Sequence, residues 1–106
     1  MIVETPRGLL IDVNANGLYP SEEGLPYSFE TGAVVTVAVQ HPMRAARQAV
    51  VVVESSRDGA TWAAHYEFRR NVMRSQVRHF TVNEPVRFRV RVSAFVEPFQ
   101  IRLENR

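Results

Sequence analysis

Residues 86–94 read Val-Arg-Phe-Arg-Val-Arg-Val-Ser-Ala, an unbroken alternation of apolar and polar side chains. Successive side chains of a β-strand point to opposite faces, so a period of two dictates a strand with one dry face and one wet face. The same alternation runs through Val35, Val37 and Val39 against Thr36, Ala38 and Gln40, and through Phe99, Ile101 and Leu103 against Gln100, Arg102 and Glu104. It places Trp62, Ala64, Tyr66 and Phe68 on one face of a further strand, with Ala63, His65, Glu67 and Arg69 on the other. Residues 49–53 are continuously apolar, the pattern of a strand covered on both sides. Residues 9–13 and 77–82 are shorter strand candidates. No segment has the period of an amphipathic helix, although 43–48 has room for one helical turn.

Turn chemistry falls between these runs. Ser56-Arg57-Asp58-Gly59 reads as a β-hairpin turn, because glycine supplies the positive φ such turns require. Asn83-Glu84-Pro85, Glu97-Pro98 and Asn14-Ala15-Asn16-Gly17 punctuate the other strands. Six to eight short strands in a chain of 106 residues predict one all-β domain, an antiparallel sandwich of Ig-like or jelly-roll type, with its body over 33–106. The first 32 residues differ. They hold three of the six prolines and four of the five glycines, and Leu18, Tyr19, Leu25, Tyr27 and Phe29 follow no clean period. The expectation is an irregular N-terminal segment with one short strand. It is either a loop over the end of its own sandwich or an arm, roughly 1–29, that docks on another subunit.

The 17 valines and absent cysteines exclude a disulfide scaffold, a thiolate zinc site and a cysteine nucleophile. No apolar run reaches the roughly 20 residues of a membrane helix, and the first twelve residues lack the pattern of a secretory signal. All 13 basic residues are arginine, so the chain stays positively charged to high pH without implying a nucleic-acid partner. Residues 1–43 carry a net −4 and 44–106 a net +6, a polarity that can be matched within one subunit or between neighbours.

Catalytic and cofactor chemistry find little support. His41, His65 and His79 have no metal spacing, and His65 with Glu67 offers at most two ligands. Ser55 and Ser56 precede a turn with no nucleophile-elbow pattern. Asp58 has no second acidic cluster that would make a calcium loop. The expectation is no catalytic residue, no metal and no cofactor. The sharpest charge feature is the ladder Arg87, Arg89, Arg91, whose guanidinium groups project from one strand face about 7 Å apart. Three readings are open: a solvated face paired with Glu54, Glu67 or Glu104, a protein contact through arginine forks, and nucleic-acid binding. The last is the weakest, since single-strand binders interleave exposed aromatics with their charge. Trp62 reads as a core anchor, with a sugar platform as the alternative. Phe95 falls out of phase with the inward set of its strand and is expected at the surface.

The stretch Val50-Val51-Val52-Val53-Glu54-Ser55-Ser56-Arg57-Asp58-Gly59-Ala60-Thr61-Trp62 resembles a hairpin of small β-sandwich virion proteins of tailed bacteriophages. In these a valine-rich strand enters a Ser-x-Asp-Gly-x-x-Trp turn, which discoidin-like sandwiches share. The resemblance covers about 33–104. It implies a non-enzymatic virion protein, such as a capsid-decorating (cement) protein or a head or tail accessory component. Its partner would be the major capsid protein or another virion protein, with copies forming a homo-oligomer or lying on a lattice. The expected location is the virion, assembled in the host cytoplasm, with no membrane partner. The expected contact residues are Leu18, Tyr19, Leu25, Tyr27, Phe29, Arg44, Arg47, Arg87, Arg89, Arg91 and Phe95. A glycan- or host-surface-binding module, acting through loops at one end of the sandwich, is the rival. An arginine-mediated nucleic-acid binder is the third.

Overall fold

The computed structural model describes residues 2–20, 27–40, 49–68 and 75–105. Among these residues ten strands follow one another: β1 (Ile2–Thr5), β2 (Gly8–Val13), β3 (Gly17–Tyr19), β4 (Tyr27–Phe29), β5 (Val34–Gln40), β6 (Val50–Ser56), β7 (Ala63–Glu67), β8 (Gln76–Thr81), β9 (Val86–Ser93) and β10 (Phe99–Asn105). They form two antiparallel sheets. One has the order β1-β2-β10-β5-β8; the other runs β3-β9-β6-β7, with β4 also paired to β9. β3 and β4 sit end to end along β9, Tyr19 opposite Val90 and Tyr27 opposite Phe88, so together they fill one strand position.

The pairings are nested: β2 with β10, β3 and β4 with β9, β5 with β8, β6 with β7. That is a long hairpin folded over on itself, which is the jelly-roll arrangement; an Ig-like order is not formed. The tip of the folded hairpin is the turn between β6 and β7.

The alternation explains the core. Ile11, Ile101 and Val39 lie in one cross-strand row, with Leu9, Leu103 and Val37 in the next. They face Val51, Val53, Val90, Val92 and Phe88 of the other sheet, and all of these are buried. Two edge strands close one side of the sandwich, β7 and β8. There Phe80 packs edge-on to His65 at 4.6 Å and stacks on Phe88 at 6.2 Å, and Arg78 caps the Tyr66 ring at 4.8 Å. A charged group on the inward phase of an exposed edge discourages a further strand from adding there.

Three sequence expectations are corrected. The segment 1–32 contributes four strands, and Leu9, Ile11, Val13 and Phe29 belong to the core, so its described part is sandwich body and not a detached arm. The hydrophobic pattern of β2 was too short to display this by itself. The run 49–53 is covered on one side only: Val51 and Val53 are buried, while Val50 and Val52 on the outer face are half-buried. Finally, Trp62 and Ala64 do not share a face with Tyr66 and Phe68. Val53 pairs with Tyr66 but Glu54 with Ala64, which leaves His65 as the extra residue of a β-bulge. A bulge shifts the phase by one, and a one-residue shift sends every side chain before it to the opposite face. The turn expected at 43–48 lies outside the described residues.

Candidate functional site

Two regions concentrate chemistry, both near the hairpin tip. The first is the outer face of the β3-β9-β6-β7 sheet. Register sets Glu54 opposite Arg89, and Val52 opposite Arg91. Glu54 accepts a hydrogen bond from Arg89 Nε at 2.7 Å on one carboxylate oxygen and from Arg91 Nε at 3.0 Å on the other. Trp62, turned outward by the bulge, covers the Arg89 guanidinium at 4.2 Å from its ring centroid. Arg89 is thereby only 8% exposed although it lies on an outer sheet face. Burial raises the pKa of Glu54, but hydrogen bonds and charge from Arg91 and Arg89 outweigh it, and the carboxyl sits below its usual range. The result is a locked tryptophan–arginine–glutamate stack, flanked by half-buried Leu18, Val50 and Val52 and by the exposed Arg91.

The arginine ladder is therefore not three equivalent charges. Arg89 is ion-paired to Glu54 and covered, which corrects its expectation as a contact residue. Arg91 shares the same carboxylate but keeps half its side chain in solvent. Arg87 is half-buried, and its guanidinium lies where a Cβ on Gly59 would need to be. Phe29 is also corrected: it is 2% exposed and meets Phe88 edge-on at 5.7 Å. Phe95 is partly buried against the core, because Ala94 adopts a φ of 50° and turns the chain inward after β9. The Phe95 amide then donates to Asn16 Oδ1 at 2.8 Å. Tyr19 packs on the core and its hydroxyl donates to the Ala15 carbonyl at 2.8 Å. Leu25, Arg44, Arg47 and the side chain of Tyr27 lie outside the described residues. Of the expected contacts, Leu18, Arg87 and Arg91 occupy one sheet face. Trp62, which sequence reasoning assigned to the core, joins them; only the bulge reveals this, and no local signal marks it.

The second region is a cleft of about 480 Å³ between the β6–β7 turn and the β8–β9 turn. The first turn is held by Asp58, whose Oδ1 accepts from the Ala60 and Thr61 amides and the Ser56 hydroxyl, at 2.8, 2.8 and 2.9 Å. Those hydrogen bonds, the Thr61 amide foremost, lower the Asp58 carboxyl to about 2. Gly59 takes a φ of 79° there and donates its amide to Ser56 Oγ at 2.8 Å. Arg57 reaches across to Glu84 at 2.7 Å and ties the two turns together. Val82, Val86, Phe88 and Ala63 supply an apolar floor, while Ser55, Thr61, Thr81 and Asn83 supply polar rim groups. His65, the bulge residue, lines the cleft, and burial lowers its pKa below the ordinary imidazole value.

His65 has ring contacts to Phe80 and Phe88, and Asp58 is committed to its turn. Among the described residues, no three histidine or carboxylate side chains gather as a metal site requires. No family model, no curated protein and no solved structure matches the chain.

Proposed function

We propose that this chain is a non-enzymatic structural protein of a phage particle, a capsid-decorating or accessory component that attaches to a multimeric protein shell. The observation that carries the reading is the outer sheet face around Trp62. Tryptophan and arginine supply a disproportionate share of binding energy at protein interfaces, above all where they are held rigidly. Trp62 is fixed over Arg89, and Arg91 stands beside it with solvent access and one shared carboxylate. A partner docking here orders little that is not already ordered, so less of its contact energy is lost to side-chain entropy. Leu18, Val50 and Val52 extend the patch with apolar surface. The jelly roll, a fold also used in viral shells, suits repeated side-by-side display, though fold alone assigns no function. Attachment thus runs through a sheet face and not through a detached N-terminal arm. Arg89 being spent on Glu54 also weakens the case for nucleic acid, which calls for free charge along the ladder.

The test is co-sedimentation of the protein with particles purified from the strain that encodes it. Trp62→Ala and Arg91→Glu, each checked for an intact β-sheet spectrum, should each lower particle occupancy at least tenfold. Absence of the protein from particles, or undiminished occupancy by both variants, rejects the reading.

A further inference from the structure

The cleft at the hairpin tip is not used by the attachment face, and its chemistry is specific. Its volume of about 480 Å³ lies within the range of small-molecule sites. Its charges are already committed. Arg57 is paired to Glu84, and the one Asp58 carboxylate oxygen that binds the turn takes three hydrogen bonds. The neutral polar groups are not committed. The hydroxyls of Ser55, Thr61 and Thr81 and the amide of Asn83 line the opening, and no other described residue engages them. His65 also lines the cleft, and a neutral imidazole offers one donor and one acceptor. Beneath them lies the apolar floor of Val82, Val86 and Phe88.

An anion would meet the Asp58 and Glu84 carboxylates against one guanidinium among the described lining residues, that of Arg57, which already faces Glu84, so anions are disfavoured. A purely apolar ligand would leave the rim hydroxyls desolvated without partners, at a cost. The occupant that satisfies both layers is uncharged, carries several hydroxyls, and has an apolar C–H face. From these features the geometry points to a saccharide-binding site between the β6–β7 and β8–β9 turns, taking a single neutral hexose ring. This inference does not depend on attachment through Trp62, because the two use different residues.

Saturation-transfer and amide-shift NMR test it, with the methyl glycosides of glucose, galactose, mannose and N-acetylglucosamine as probes at millimolar concentration. At least one should receive saturation and move the amides of Thr61, Thr81 and Asn83. Thr81→Val and Asn83→Ala, which leave the core untouched, should each weaken that binding about tenfold, the loss of one hydrogen bond at the upper end of its usual worth. Three outcomes overturn the proposal: no transfer to any of the four sugars, transfer that leaves the cleft amides unmoved or survives both substitutions, and inorganic phosphate moving those amides more than the sugars do.

Discussion

Glu54 is the residue on which the outer face turns. It sits mid-strand in β6, where a carboxylate is costly to bury, and it is tolerated because both oxygens meet guanidinium groups. Removing it leaves Arg89 buried under Trp62 with no counter-charge. Glu54→Ala should therefore destabilise the fold by about 3 kcal/mol, read from urea unfolding. Replacing Glu54 and Arg89 together by Leu and Met should cost clearly less than the single change, since no charge is then stranded. Equal costs would mean that the stack contributes through packing alone. By contrast the Arg57–Glu84 pair is largely exposed and worth little on its own; its role is to span the cleft.

Among the elements, β1 and β2 show how unequal neighbouring strands are. Ile2 and Val3 of β1 are 38% and 44% exposed, whereas Ile11 and Val13 of β2 are almost fully buried between β10 and the opposite sheet. Each such buried aliphatic side chain is worth about 1.5–3 kcal/mol. Deleting residues 1–5 should lower stability by only about 1 kcal/mol, from the small apolar area lost. Deleting 1–13 also removes Leu9, Ile11 and Val13 and strips one side of β10; that loss rivals the whole stability of a small domain, about 5–15 kcal/mol. The longer truncation should show no cooperative thermal transition. A cooperatively folding 14–106 fragment would show that the N-terminal segment is an appendage after all. Gly8 adds to the constraint on β2. A Cβ there would collide with the Leu103 carbonyl and the Glu104 backbone, so no other residue fits without moving β10.

At the scale of the whole molecule, nested pairing makes folding a long-range problem. Ile11 must find Ile101, and Leu9 must find Leu103, across almost the full chain. Among the described strands, only β1–β2 and β6–β7 pair as neighbours in sequence. Loop closure has to precede most of the stabilising contacts, so refolding should take milliseconds to seconds. Stopped-flow fluorescence of Trp62, which reports the assembled outer face, measures this directly. Refolding complete within tens of microseconds would contradict the nested order as the rate-setting feature.

Strand identity was legible because alternation is local: Val35 to Gln40, Val86 to Ser93 and Phe99 to Glu104 each declare their dry face by themselves. So was the 56–59 turn, whose Asp58 and Gly59 act within a few residues. The same strict reading failed at β7, where one extra residue, His65, sent Trp62 outward and created both the stacked patch and a wall of the cleft. It failed for β3 and β4, too short to show a period, and for Phe95, redirected by the backbone of Ala94. By itself the sequence determined that this chain makes β-strands with a valine-rich inner face and an arginine-bearing outer one. Only the tertiary structure decided the jelly-roll order, which arginine is spent, and where the cleft lies, because pairing partners, bulges and ion pairs are set by residues far apart in the chain.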